Sequence, residues 1–254
     1  MLLLGFDLET QDDVVETTRI TEIGAVLADF SKPFELNITK GYQTLCYEPD
    51  YPPQRADIVE LTGITDARLK EAGIPRKDAF DVLFELVNEA EIIVAHNKNF
   101  DQKVFEAECR RQGRAIPTKR WLCTLTEVPY PDKYTCKKLA HLAWEHDVII
   151  DRKKLHRADY DVLVMLNLLA KYDITSVITY ANEPWVYMQA VFDAPWIDGG
   201  VGKLKAQKLG YNWEKARGDD RAFPKQWVKR VKQRMVKEEQ AKAEKLALLT
   251  RVLS

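Results

Sequence analysis

The sequence predicts an α/β fold with a mixed β-sheet flanked by helices, and two features of its hydrophobic pattern support this. The N-terminal part contains three β-prone segments with short connections, which is the pattern of an antiparallel meander. Apolar residues then recur at helical spacing, and a short run of the buried-strand type follows them. Because a helix precedes this last strand, we expect the strand to join the sheet in parallel.

The β-prone segments are residues 2–10, 19–30 and 34–47. The first helical pattern covers residues 79–90, and the short apolar run is Ile92–Ala95. In both segments the apolar residues are continuous or periodic enough to indicate burial. Further helices are predicted over residues 99–112, 136–145 and 158–171.

The composition changes after Tyr180, which predicts a domain of residues 1–180 and a smaller module of residues 181–254. A strand is predicted at 185–192, a short helix before Gly210, and a basic terminal helix from about Lys225 to Leu253. This small α+β module contains four of the six tryptophans in the chain.

The near-neutral net charge hides a division along the chain. Residues 1–200 carry 23 lysines and arginines against 33 aspartates and glutamates, whereas residues 201–254 carry 15 against 6. An acidic body with a basic tail is typical of proteins that hold a polyanion beside a carboxylate site. A solvated, lysine-rich helix is the alternative explanation of the tail.

Nothing in the N-terminal pattern indicates export or membrane insertion. The apolar start has no basic region before it, and it reaches Asp7 too soon for a signal peptide or a membrane span. The four cysteines are far apart and form no C-x-x-C pair, so neither a disulfide framework nor a structural zinc site is suggested. We therefore expect a cytoplasmic protein.

Asp7 and Glu9 are the first candidates for a chemical role. They lie two residues apart on the first predicted strand, so both carboxylates should emerge on the same face of the sheet. On an exposed face such a pair would be two solvated acids. At the end of a buried strand, however, two acids require compensation by a metal ion or by protonation.

Two later segments supply further candidates. Asp101 opens the helix that follows the Ile92–Ala95 strand, where it could serve as a simple helix cap. Asp161 falls in the first turn of another helix, and His156 lies in the loop before it. Taken alone, His156 could be an ordinary surface residue. If the elements converge, however, four acids could bind two divalent cations, and a neutral imidazole could accept a proton from water.

Five segments of residues 1–175 form one ordered set of motifs: Phe6–Thr10, Arg19–Ala25, Leu61–Thr65, Ala95–Asp101 and His156–Asp161. In this order they resemble the motifs of the DEDDh exonucleases. This family includes the proofreading epsilon subunit of the bacterial replicative polymerase and ribonuclease T. The short module that follows also looks like those of some phage and bacterial exonucleases.

The resemblance implies a ribonuclease-H-like fold and two Mg²⁺ or Mn²⁺ ions. Residue by residue, Asp7, Glu9, Asp101 and Asp161 match the four metal-binding acids of the family, and His156 matches its general base. The implied reaction hydrolyses phosphodiester bonds from the 3′ end and releases nucleoside 5′-monophosphates. This sequence departs from the family after Thr10, where Gln11, Asp12 and Asp13 follow and the contact of this loop's backbone with the last nucleotide is left open. It also departs at Cys123, a position that is not catalytic in the family.

A second group of residues is predicted to contact nucleic acid. Near the catalytic motifs the candidates are Thr10, His96 and Asn97, although His96 could instead be a packed residue behind the site. In the basic module the hypothesis is that lysines and arginines contact phosphates and that one or two exposed aromatics, such as Trp213, stack on bases. The candidates in this module are Lys203, Lys205, Lys208, Trp213, Lys225, Lys229 and Arg230. The alternative, favoured for most of the aromatics, is that they form the core of the module.

The sequence favours single-stranded DNA as the substrate but leaves alternatives. The catalytic residues do not report on the sugar, so an RNA-trimming enzyme would have the same motifs. A proofreading subunit bound to a DNA polymerase or another replication protein is a further possibility. The alternative outside enzymes is a nucleic-acid-binding scaffold that has kept the fold. A complete set of mutually repelling acids argues against that last interpretation.

Overall fold

The structure is a computed structural model, and it describes residues 1–131, 133–193, 195–214 and 225–253. The chain divides into two compact units, Met1–Ala181 and Asn182–Ser254.

The first unit contains a five-stranded mixed sheet. Its strands are β1 (Leu2–Thr10), β2 (Ile20–Asp29), β3 (Asn37–Leu45), β4 (Ile92–Ala95) and β5 (Arg120–Cys123). They lie in the order β3-β2-β1-β4-β5. The first three pair antiparallel, while β4 pairs parallel with β1 and β5 pairs parallel with β4. The predicted meander with parallel additions is confirmed, and β5 is a strand that the sequence pattern did not predict.

Helices cover the sheet because its central strands are apolar on both faces. Along β1, Phe6 packs edge-on against Phe105 and Trp121, with ring centroids 5.7 and 5.3 Å apart. The alternate residue Leu3 belongs to a separate core on the opposite face, together with Leu166. The helices are α1 (Ala56–Thr62), α2 (Asp66–Ala72), α3 (Arg76–Glu89), α4 (Lys98–Arg111), α5 (Leu139–Glu145), α6 (Ala158–Leu169) and α7 (Ile174–Asn182).

The second unit contains an antiparallel sheet with its own small core. Met188 and Val231 are buried in this core, and Tyr211 is its largest fully buried side chain. The sheet has the order β7-β8-β6-β9. Its elements are β6 (Trp185–Val191), α8 (Pro195–Asp198), α9 (Val201–Lys208), β7 (Asn212–Glu214), β8 (Gln226–Lys232), α10 (Val236–Glu244) and β9 (Leu249–Leu253).

The prediction of one basic helix from Lys225 to Leu253 is wrong. Only α10 is α-helical there, and the strands β8 and β9 lie on either side of it. In β8 the β-branched residues Val228 and Val231 are buried, and the strand pairs with β6. The many lysines indicate that this segment is solvated, but they do not distinguish the period of a strand from that of a helix. For this reason the sequence pattern did not predict the strands β8 and β9.

Within the described part of the chain, no single helix has both the length and the apolar composition needed to cross a membrane. The helices α6 and α7 meet that criterion only as a pair, which is bent by 94°.

Candidate active site

Asp7 and Glu9 lie on the α6 side of the sheet. The neighbouring residues Phe6 and Leu8 point to the opposite core, as the alternation of a strand requires. Both acids are half-buried. The first strand thus places two carboxylates side by side at the edge of a packed helix.

A glycine allows α6 to approach these carboxylates closely. Gly24 of β2 pairs with Asp7, and a Cβ atom at this glycine would lie 2.2 Å from the backbone carbon of Ala158. Any larger residue would therefore push the first turn of α6 away from the sheet. The close approach brings in Asp161, and one ligand oxygen from each of Asp7, Glu9 and Asp161 lies within 4.8 Å of the others.

Asp101 joins the site from a third element, the first turn of α4. It is 3% exposed, and its Oδ1 accepts a hydrogen bond of 3.2 Å from the backbone N–H of Leu8, between the two acids of β1. Asp101 is not one of the three acids whose oxygens lie within 4.8 Å of one another. Burial is the largest cause that raises the pKa of Asp7, and the charge of Asp101 is the second largest. The structure therefore brings together all four acids that the sequence singled out.

His156 lies at an exposed position at the rim of the same site. Its backbone has a φ of 62°, which is uncommon for residues other than glycine, and its N–H donates to Asp161 Oδ2 at 3.2 Å. His156, Asp7 and Asp161 line one cavity of about 680 Å³. This volume is within the range of about 300–1,000 Å³ that is usual for ligand sites.

The four carboxyl groups are difficult to ionise together. Burial, reinforced by neighbouring acids, raises the pKa of Glu9 to about 9 and that of Asp7 well above its usual value. Burial also raises the pKa of Asp101 to about 8, although the N–H of Leu8 opposes this shift. The pKa of Asp161 is raised by burial as well. A positive charge in the cluster would favour the ionised carboxylates and so oppose these shifts.

The donor set fits divalent cations. Carboxylate oxygens are the ligands that Mg²⁺ and Mn²⁺ prefer. Asp161 Oδ1 is buried and has no hydrogen-bond partner among the residues that the structure describes, which leaves an acceptor available to an ion. Closely spaced acids with raised pKa values and an oxygen available for coordination fit a site for a divalent cation.

The other residues predicted near the motifs differ in their exposure. His96 lines the cavity but is held between Thr124 Oγ1 (2.9 Å) and the carbonyl of Lys137 (3.0 Å). Burial lowers the pKa of His96, which favours a neutral ring that donates to this carbonyl. Asn97 also lines the cavity, whereas Thr10 is buried and its hydroxyl donates to the backbone of Asp12. Asn97 therefore has the better access to a bound molecule.

In the second unit, some candidates are exposed and others are engaged within the protein. Lys229 forms an ion pair of 2.6 Å with Glu239, and Lys205 donates to the carbonyl of Ala247 at 3.4 Å. Trp213 is 55% exposed, which leaves much of its ring accessible. The exposed cationic candidates are Lys203, Lys208, Lys225 and Arg230.

A buried ion pair next to the acids was not assigned a role from the sequence. Glu22 of β2 is fully buried and accepts two hydrogen bonds from Arg157 Nε, at 3.0 and 3.1 Å, and one from the N–H of Ala158 at 3.0 Å. Arg157 lies between His156 and α6, so the pair fixes the start of that helix and the end of the histidine loop. A glutamate within the otherwise apolar β2 was the available signal.

Glu22→Ala is expected to destabilise the protein by about 3 kcal/mol or more, because it leaves the guanidinium of Arg157 without its buried partner. Thermal unfolding should show this as a lower Tm. The matched control is Glu35→Ala, which breaks the exposed pair with Lys32 and should cost less than about 1 kcal/mol. Equal effects of the two substitutions would contradict a positioning role for Glu22.

A carboxylate cluster that suits divalent cations, with a histidine at the rim of its cavity, defines a metal-dependent hydrolase of phosphodiester bonds as the class of protein. The exonuclease family of the ribonuclease T type (RNase_T) matches residues 4–169. The chain therefore belongs to this exonuclease family, and its four acids and histidine follow the DEDDh order.

Similar solved structures share the fold. Exonuclease I of E. coli, in a zinc-bound complex with single-stranded DNA, is 15% identical with a TM-score of 0.65, over 98% of this chain and 68% of that chain. Exonuclease X, solved with 5′ overhanging duplex DNA, is 22% identical (TM-score 0.51) over 68% and 92%. The nuclease domain of 3′hExo bound to rAMP is 14% identical (TM-score 0.55) over 67% and 90%. Curated protein sequences give no match.

Proposed function

We propose that this protein is a 3′→5′ exonuclease that removes nucleoside 5′-monophosphates from single-stranded DNA with the help of two Mg²⁺ or Mn²⁺ ions. The observation that carries the proposal is the convergence of Asp7, Glu9 and Asp161, one ligand oxygen of each lying within 4.8 Å of the others. Asp7 and Asp161 line a cavity together with His156. Asp101, which accepts a hydrogen bond from the backbone N–H of Leu8 between the two acids of β1, is the fourth member of the proposed ligand set.

The residues of the chain have distinct roles in the reaction. Asp7, Glu9, Asp101 and Asp161 hold the ions, which when bound supply activation of water and charge neutralisation at the phosphate. His156 accepts a proton from the attacking water as a new bond to phosphorus forms. The bond from phosphorus to the 3′ oxygen of the preceding nucleotide breaks, and that oxygen takes up a proton from solvent water to become the new 3′-hydroxyl.

Single-stranded DNA is favoured as the substrate by two features. The likeness to exonuclease I, a protein solved with single-stranded DNA, extends over nearly the whole chain and includes both units. The C-terminal residues 201–254 carry 15 lysines and arginines against 6 acids, which suits a polyanion. The ends of a single strand also need no unpairing before they enter a cavity.

The proposal is tested by digestion of 5′-labelled single-stranded DNA with Mg²⁺, Mn²⁺ or EDTA. We expect a ladder that shortens from the 3′ end with either metal and intact DNA with EDTA. Cleavage that persists in EDTA would contradict the metal dependence. Binding of DNA without any cleavage would instead support a nucleic-acid-binding scaffold.

An RNA substrate is the second candidate, since 3′hExo, a protein of similar fold, was solved with rAMP. The catalytic groups act on the phosphate and do not distinguish the two sugars. Parallel digestion of DNA and RNA of one sequence separates the candidates, because only contacts to the 2′-hydroxyl or its exclusion can produce a preference. Faster cleavage of the RNA would overturn the DNA assignment.

The second unit is proposed to bind substrate phosphates through its exposed lysines. Replacing Lys203 and Lys208 by serine should weaken DNA binding and reduce the slope of log affinity against log salt by about 1.4, since each single-strand phosphate contact contributes about 0.7. Titration of a fluorescent oligonucleotide at several salt concentrations measures this slope. The double control Lys32→Ser and Lys77→Ser, in the first unit, should leave the slope unchanged, and equal slopes in all three proteins would contradict the proposal.

A further inference from the structure

A second cavity adjoins the one that contains the candidate catalytic residues. It has a volume of about 970 Å³, and Lys138 and Ala140 line both cavities. The helix α5 forms the shared wall. Leu139, at its start, lines the first cavity, and Trp144 lines the second. Five helical residues span about 7.5 Å, so the two cavities are close neighbours.

Two large apolar side chains are exposed in this second cavity. Trp144 is 70% exposed and Ile149 is 96% exposed. Single exposed apolar residues are common on protein surfaces. Trp144 and Ile149, however, line the same cavity, and concave surfaces lined by aromatic and apolar side chains are where ligands usually bind. The ring of His141 lies 6.1 Å from that of Trp144, which extends the ring-lined surface.

The backbone that carries these side chains is firmly held. His146, at the end of α5, donates from Nδ1 to the carbonyl of Leu142 at 2.7 Å, and its Nε2 accepts from the hydroxyl of Tyr172 at 2.5 Å. The N–H of Val148 donates to the carbonyl of Ala143 at 2.9 Å. Trp144 and Ile149 are therefore presented on a preformed surface, which lowers the entropy cost of binding.

The charges around this surface suit an anionic ligand. Lys138 and Arg152 line the cavity, against one acid, Asp147. Two cations near an exposed indole stand out in a unit that is acidic as a whole. The combination of basic groups with an accessible aromatic ring is how proteins bind single-stranded nucleic acid, because bases stack on the ring while cations contact the phosphates.

We propose that the surface formed by Trp144, Ile149, Lys138 and Arg152 binds the nucleotides of a single strand that precede its 3′ end, with one base stacked on Trp144. This inference rests on the proposed exonuclease function, since it extends the substrate site away from the catalytic cavity. Lys138, which both cavities share, bridges the terminal nucleotide and the stacked one.

Trp144→Ala tests this surface with two substrates of different length. With a short oligothymidylate, KM should rise about fivefold or more, as expected for the loss of one stacked base, while kcat changes little. With the p-nitrophenyl ester of thymidine 5′-monophosphate, which is too short to reach Trp144, kcat/KM should equal that of the wild type. Trp144→Phe keeps an aromatic ring and should restore most of the affinity for the oligonucleotide.

Phe34→Ala is the matched control. Phe34 is a similarly exposed aromatic residue of the same unit (66% exposed), and it lines neither cavity, so its replacement should not alter KM. An unchanged KM in Trp144→Ala, or an equal loss of kcat/KM on both substrates, would overturn the proposed surface and leave the exonuclease assignment intact. Failure of the wild type to cleave either substrate or an RNA oligonucleotide of the same length would overturn the exonuclease function itself.

Discussion

Asp7→Asn is expected to reduce exonuclease activity by about three orders of magnitude. Bound cations stabilise a phosphoryl-transfer transition state by several kcal/mol, and each loss of about 1.4 kcal/mol slows a reaction tenfold. A ligand oxygen of Asp7 lies within 4.8 Å of one from Glu9 and one from Asp161. The amide cannot supply the negative charge that the ions require. Initial rates on 5′-labelled single-stranded DNA at saturating Mg²⁺ measure the loss.

The same substitution is expected to make the metal-free protein more stable. Burial and neighbouring acids raise the pKa of Asp7 well above its usual value and that of Glu9 to about 9. An acid with a raised pKa in the folded state binds its proton more tightly there, so its contribution to stability is lost as pH rises from about 4 towards 9. Without Asp7 that decline should be shallower. Thermal unfolding in EDTA between these pH values tests the expectation.

Asp7→Asn is thus expected to lower activity and to raise the stability of the metal-free protein. This combination distinguishes a metal ligand from a structural residue, whose loss would lower both. Asp13→Asn, at an exposed acid in the loop after β1, is the control and should change neither quantity. A Tm for Asp7→Asn in EDTA that falls below that of the wild type would refute the repulsion among the acids. Retention of activity would refute the assignment of Asp7 as a ligand.

His156→Ala is expected to slow cleavage by about 10²- to 10⁴-fold, the usual contribution of a general base. The side chain is exposed, so unfolding temperature and metal-induced stabilisation should stay near their wild-type values. At higher pH the deficit should shrink, because solvent hydroxide replaces the water that the histidine would deprotonate. Rates across a pH series, with and without the substitution, test this expectation.

Two outcomes would contradict a base role for His156. A rate within a few-fold of the wild type would show that another group accepts the proton. A deficit that stays constant with pH would instead indicate that the histidine positions the substrate. Lys153→Ala, in the same exposed loop, controls for nonspecific effects of altering this segment.

The parts of the fold that sequence predicted well are those in which local pattern and burial agree. β1 alternates between Phe6 and Leu8 on one side and Asp7 and Glu9 on the other, so a period of two predicted both the strand and the shared face of its acids. The continuous apolar run of β4 similarly indicated burial on both faces. In these elements, residue type and period determine the structure with little help from distant contacts.

Other elements depend on contacts that no local pattern contains. β5 has only four residues, Arg120–Cys123, and it exists because β4 offers it a parallel edge. In the second unit, strand pairing determined the conformation of β8, while its lysines suggested a helix. The motif order identified the acids, but it did not reveal that Glu22 is buried against Arg157, because the two residues meet only when α6 packs on the sheet.

The assembly of the site from β1, α4 and α6 has a consequence during synthesis. A ribosome releases Asp7 and Glu9 first, Asp101 much later, and His156 and Asp161 only near the end of the first unit. The cluster of four acids therefore cannot assemble on the nascent chain until α6 emerges and its first turn packs against Gly24. Any activity that requires all four acids should begin only when the tertiary fold of the first unit is complete.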